Sequence, residues 1–338
     1  MQNNNIKKYP NKNMMIKTLI ARTGGRRALS TTNDLGARLP ALEKYFPNSF
    51  EAGTCAPLAN AVLAKQGFTP ESTLFATSVC PDEINADCPE FDISNTMERH
   101  WGEQFPLGGL AGLPFAGRTG WGAFAAHVPV GGDILLLCAP HCGISFEGAA
   151  GAVQRLGQPE PSTCCGAAVA AFNHVSGGNA VGMDEFDMQQ VRRRVELILE
   201  DIPVLFHYLF IYTTALLIFF YRSLFNFFRT HIIQSYLNAA TERRLDDVRV
   251  LSTEKGDDMV GMTHMLYDEM QVYLKNIVNM GFGGRLAVLG GIQINLSEPH
   301  RDRFMPLTFE VCGVDGSVED CLHQLIPGAK SKSLFPLK

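Results

Sequence analysis

DILLLCAPHC, Asp133–Cys142, is the stretch on which the fold turns. Asp133–Ala139 is a short, almost unbroken apolar run, the pattern of a strand buried on both faces, and it ends abruptly in Pro140 and His141. Upstream, the turn Gly67-Phe68-Thr69-Pro70 leads into Ser72–Val79 (STLFATSV), a second buried strand, which ends in Cys80, Pro81 and Asp82. Downstream, an alanine-rich, helix-like stretch starts near Cys165, Gly166, Ala167 and Ala168. An amphipathic helix from about Met259 to Met280 precedes a third strand, Arg285–Leu289, which leads into GGIQIN (Gly290–Asn295). Before all of these, Leu35, Leu39, Leu42 and Phe46, then Leu58, Val62 and Leu63, recur at three and four as in packing helices. Helices, strand, loop, strand, helices and strand, in that order, predict an α/β fold with a mostly parallel central sheet flanked by helices. No internal repeat of fixed period interrupts the pattern.

The 338 residues, 46% of them hydrophobic, suffice for a sizeable core. A formal charge of -5 and a pI near 6.0 leave no basic footprint, which argues against nucleic acid as a partner. The nine cysteines are odd in number and unevenly spaced, a pattern of metal ligation or a reducing compartment rather than of a disulfide framework.

Residues 1–32 carry Lys7, Lys8, Lys12, Lys17, Arg22, Arg26 and Arg27 with no acidic residue, the composition of an organelle transit peptide. Without a continuous apolar segment it points to the mitochondrion, with the plastid as the alternative. Residues 33–325 are then the folded domain and 326–338 a tail. Residues 203–237 interrupt this domain with an apolar block, uncharged from Pro203 to Tyr221 and followed by Arg222 and Arg229. Three readings of it stand: contact with a membrane, a buried helical hairpin, or an insertion into the fold.

The chemistry lies between Cys80 and Cys165. Zinc favours thiolate and imidazole in a tetrahedron, and a catalytic site keeps one position for water. Cys80 ends one strand, His141 the next, and Cys165 begins the following helix, so three neighbouring elements of a parallel sheet can converge where such sheets bind ligands. Cys164 competes with Cys165, because in an extended chain only one of two neighbours points inward. Cys138, Cys142 and Cys88 read as small core residues, and His127 and His100 as structural or proton-carrying.

Taken together, LGGLAGLPFAGRTGWGAFAAHVP (Leu107–Pro129), LLCAPHCGISFEGAAGAVQRLGQ (Leu136–Gln158), STCCGAAVAA (Ser162–Ala171) and RLAVLGGIQIN resemble the limiting-CO2-inducible protein B family, the θ-class carbonic anhydrases. The resemblance implies a β-carbonic-anhydrase-like fold and a Zn2+ ion held by Cys80, His141 and Cys165. It further implies reversible hydration of carbon dioxide to bicarbonate, with Asp82 as the hydrogen-bonding gate at the open metal position. The β-class motif C-x-D-x-R fits Cys80 and Asp82 but finds Ile84 in place of its arginine. Another cation must restrain Asp82, and Arg118, with Arg99 behind it, is the nominee. The β-like resemblance also implies a homodimer. The rival expectations are a catalytically inactive homologue acting as a structural partner in a CO2-concentrating complex, and a thiol protein using Cys164 and Cys165.

Overall fold

The structure, a computed structural model, describes residues 35–85, 92–114, 117–155, 157–177, 234–278, 281–297 and 300–334. The chain divides into Met1–Asp34 and Leu35–Lys338, and these residues belong to the second unit. The expected transit segment, Cys88 and residues 203–233 of the apolar block lie outside them.

In chain order come α1 (Arg38–Tyr45), β1 (Phe50–Glu51), α2 (Ala52–Lys65), β2 (Thr73–Val79), α3 (Ile93–Trp101), β3 (Phe105–Pro106) and α4 (Gly117–Ala125). They are followed by β4 (Asp133–Ala139), β5 (His141–Ile144), β6 (Ala152–Val153), β7 (Ser162–Thr163) and α5 (Gly166–Val175). After the undescribed stretch come α6 (Leu245–Lys255), α7 (Asp258–Ile277), β8 (Leu286–Leu296), β9 (Arg303–Cys312) and β10 (Val318–Asp320). The main sheet runs β1-β9-β8-β4-β2-β3. Strands β3, β2, β4 and β8 are mutually parallel, and the edge carrying β9, β1 and β10 is antiparallel. The expected mostly parallel α/β sheet is therefore present.

Strand β4 shows why the central run had to be apolar throughout. Ile134, Leu136 and Cys138 belong to a core shared with α4, α5 and α7, whereas Leu135, Leu137 and Ala139 belong to one shared with α2 and α3. A strand covered on both faces has no polar side to offer. Its start is tied to β8 by Arg285, whose backbone N–H donates to Asp133 Oδ1 at 2.8 Å and whose guanidinium lies 2.6 Å from Oδ2. The chain does not stop at the end of β4. After Pro140, which has no N–H for the ladder, it resumes as β5 and pairs in parallel with the second half of β8.

Strand β8 is longer than expected. Gly290 and Gly291 do not end it but carry a register shift opposite Pro306, and GGIQIN continues the strand to Leu296. A Cβ on Gly291 would lie 2.2 Å from the Met305 carbonyl oxygen, so only glycine lets β9 approach. Residues 234–243 are helical, and Leu237, at the end of the apolar block, is buried in the core with α7. No helix among the described residues is long and apolar enough to cross a membrane. The stretch expected as a tail is packed as far as Leu334: Ser331 bridges Asp320 and Phe309, and the Leu334 N–H donates to Glu310 Oε2 at 3.0 Å.

Gly291→Ala is expected to cost about 1–3 kcal/mol through overpacking at this bulge. The urea midpoint should fall with an unchanged slope; an unchanged midpoint would contradict the close approach.

Candidate metal centre

Cys80, His141 and Cys165 meet in one place, with one ligand atom of each lying within 4.8 Å of the others. Register brings the first two together. Strand β2 pairs with β4 with Val79 opposite Ala139, so Cys80 and, one residue beyond Pro140, His141 leave neighbouring strand ends side by side. Strand β2 leads outward to β3, whereas β4 has β8 on its other side, so the crevice between β2 and β4 is the topological switch point of the sheet. The third residue, Cys165, takes the N-cap position of α5. The residue before it is fixed by two backbone bonds, Gly143 N–H on β5 to Cys164 C=O, 3.0 Å, and Cys164 N–H to the carbonyl of Gly151 just before β6, 2.9 Å.

All three side chains are buried. The Cys80 and Cys165 sulfurs stand 3.9 Å apart, and Cys80 Sγ also accepts from the Ala111 N–H at 3.2 Å. His141 Nδ1 is 2.7 Å from Asn295 Oδ1, while His141 Nε2 is buried and has no hydrogen-bond partner. An orphan imidazole nitrogen beside two thiols is the donor set that zinc takes, and these atoms fit that ion. Cys164 does not turn away as alternation would require. Its sulfur lies 3.5 Å from His141 Nδ1 and 3.4 Å from Asn295 Oδ1, on the opposite edge of the ring, so both adjacent cysteines face the histidine.

Asp82 follows Cys80 by two residues, with Oδ2 3.9 Å from His141 Nε2. Its restraint is not Arg118. Arg118 lies on α4 and donates Nε to the carbonyl of Asn276 at 2.8 Å, away from Asp82, and Arg99 reaches Thr96 on its own helix. Arg155 takes the place expected of them: Nη2 donates to Asp82 Oδ1 at 2.9 Å and Oδ2 at 3.0 Å, and Nε to Glu83 Oε1 at 2.7 Å. Its Nη1 is anchored on Ser162 Oγ and the Thr163 carbonyl. The antiparallel pairing of β6 with β7 brings residue 155 beside the cysteine pair, a contact that spacing along the chain does not reveal. Its one sequence signal was its place inside the motif AVQRLGQ, between the second and third ligand candidates. Cys138 and Cys142 are buried, as expected of core residues, and the eight described cysteines are free thiols.

Burying a thiol pair and an imidazole together forces the protons to redistribute. Cys165 is held well below the ordinary thiol range, chiefly by the hydrogen bond from Cys80 and, against burial, by His141. Cys80 is pushed well above that range by giving that hydrogen bond and by burial. For His141, burial would lower the pKa, but the negative charge of the neighbouring cysteines outweighs it and holds the imidazole well above its usual value.

A largely parallel α/β sheet with Cys, His, Cys and an arginine-held aspartate at its switch point has a carbonic-anhydrase-like fold. The comparisons narrow this to a family. Limiting CO2-inducible proteins B/C, β-carbonic anhydrases, match residues 53–202 and 228–313, and the chain belongs to this family. Residues 203–227, inside the apolar block, fall between the two matched parts. Among solved structures, PtLCIB4, described as a homologue of the limiting CO2-inducible protein LCIB, is similar at 28% identity and a TM-score of 0.60, over 83% of this chain and 98% of that one. LCIB itself shares the fold at 18% identity and a TM-score of 0.50, over 82% of this chain and 96% of that one. No curated protein matches.

Metal uptake must displace protons held by the buried thiol and imidazole, so affinity for zinc rises with pH. Competition against a chelator from pH 6.5 to 8 checks this; a slope near zero would contradict the charge distribution described.

Proposed function

We propose that the chain catalyses the reversible hydration of carbon dioxide to bicarbonate, with a zinc ion held by Cys80 Sγ, His141 Nε2 and Cys165 Sγ. The observation that carries this reading is the buried, unpartnered Nε2 of His141 in a cluster with two thiols, with the neighbouring carboxylate already engaged by Arg155. Family membership supports it. Zinc, when bound, supplies the nucleophile by lowering the pKa of a coordinated water from about 15.7 to about 7.

The protein's own groups do the rest. Arg155 clamps both oxygens of Asp82 and so keeps the carboxylate from swinging onto the metal. Asp82 Oδ2, on the side of His141, retains a lone pair to accept a hydrogen bond from the attacking water and aim it. Leu113, Trp121 and Phe124 share one buried apolar cluster with Cys80 and Cys165, a wall that holds carbon dioxide away from bulk water. Two thiolates leave the centre neutral, which puts the best hydration on the alkaline side. On the same reading residues 1–32 direct import into an organelle, the chain forms a homodimer, and the apolar block is an insertion.

The second reading is a closed, structural zinc site in a protein that works as a partner in a complex. It draws on Asp82 and Cys164, which form with His141 a further group of candidate ligand atoms within 4.8 Å of one another. Zinc content and stopped-flow hydration on the full chain and its variants separate the two. The catalytic reading expects about one zinc per chain, loss of metal and activity in Cys80→Ser, and retained metal with about 10²-fold lower hydration in Asp82→Ala and Arg155→Ala. Arg118→Ala should be near neutral. Bound zinc with no hydration from neutral to alkaline pH would favour the structural site, and absence of zinc would sink both.

A further inference from the structure

Behind His141 lies a chain of buried amides and a carboxylate that plays no part in the mechanism above. Asn295, on β8, has all four hydrogen-bonding positions filled. Its Oδ1 faces His141 Nδ1 at 2.7 Å and Cys164 Sγ at 3.4 Å, and its Nδ2 donates to Asn85 Oδ1 at 3.0 Å and Asp302 Oδ2 at 2.7 Å. Asn85 in turn donates Nδ2 to the carbonyl of Cys80 at 2.9 Å, and its Oδ1 also accepts from Gln293 Nε2 at 3.1 Å. Asp302 accepts the Leu296 N–H on its other oxygen at 2.8 Å. Asn85, Gln293, Asn295 and Asp302 are all buried.

The direction of this network is not free. A backbone carbonyl only accepts, so Cys80 C=O dictates that Asn85 presents its nitrogen there and its oxygen toward Asn295. Asn295 must therefore present its nitrogen to Asn85 and Asp302, and its oxygen to His141. An amide oxygen only accepts, so Nδ1 of His141 must carry a proton, and in the neutral ring the lone pair falls on Nε2. That is the nitrogen with no partner.

We infer that Asn295, held by Asn85 and Asp302, is the positioning residue that fixes His141 as the Nδ1–H tautomer and turns Nε2 toward the two cysteines. The inference rests on the zinc reading only for its consequence, metal affinity; the tautomer itself follows from the hydrogen bonds. Because Asn85 also holds the carbonyl of Cys80, the same network ties one ligand residue to another. Polar groups behind a ligating histidine typically govern affinity by 10- to 100-fold.

The test uses the full chain with 15N-labelled histidine, alongside Asn295→Leu, a substitution of similar size without polar atoms, and Asp302→Asn. In the metal-free protein a downfield, exchange-protected Nδ1 proton of His141 should be present and should vanish in Asn295→Leu. In zinc competition, Asn295→Leu should bind about 10- to 100-fold more weakly, and Asp302→Asn should weaken binding less. Circular dichroism establishes which variants are folded; if Asn295→Leu is not, the Nδ1 proton of the unaltered chain and the affinity of Asp302→Asn decide. An unaltered chain without that proton, or a folded Asn295→Leu with zinc affinity within twofold of the unaltered chain, overturns the inference. Should the unaltered chain take up no zinc while keeping the Nδ1 proton, the metal reading fails and the positioning of His141 stands.

Discussion

The site depends on the parallel register of β2 against β4. With Val79 opposite Ala139, the residue after one strand and the residue after the proline that ends the other are delivered to one crevice, and everything else is arranged around that meeting. A one-residue slip of either strand would turn its side chains over between the two cores and carry Cys80 and His141 apart. The Asp133 N–H, donating to the Ser72 carbonyl at 2.9 Å at the opposite end of the pair, and the two-sided apolar packing of β4 hold that register.

Placing two thiols, an imidazole and a carboxylate together out of water is costly unless each finds a partner. The protein resolves most of this internally. Arg155 takes Asp82, the Ala111 N–H reaches the Cys80 sulfur, and Asn295 takes Nδ1 of His141. What remains is Nε2, buried without a hydrogen-bond partner among thiols, a donor set that fits a divalent metal ion such as zinc. The same economy explains the polar residues of β8, Gln293 and Asn295, in a strand otherwise buried and apolar.

What could be read from the sequence divides along physical lines. Strands β2 and β4 were legible because burial on both faces writes a short apolar run and proline ends it; their ends offered Cys80 and His141 as candidates, and the family resemblance rather than spacing joined Cys165 to them. Strand β8 was cut short because Gly290 and Gly291 look like a turn, whereas in the sheet they make room for the neighbouring backbone. Strand β9 went unread, with Pro306 interrupting it at the bulge. Arg155 was hidden for a different reason: its partners lie 73 residues away at Asp82 and across a two-residue strand pair, so nothing in its own surroundings marks it. Arg118, in a conspicuous glycine-rich segment, drew the assignment that belonged to it. Cys164 could not be placed by alternation, since the chain around it follows the short strand β7 into a helix rather than running on extended.

The proposed chemistry depends on which atoms take the metal. Zinc K-edge X-ray absorption on the zinc-loaded full chain measures that directly. Two sulfur scatterers at about 2.3 Å, with one imidazole and a further light ligand at about 2.0 Å, are what Cys80, Cys165 and His141 require. Three sulfurs, bringing in Cys164, or none, would contradict it.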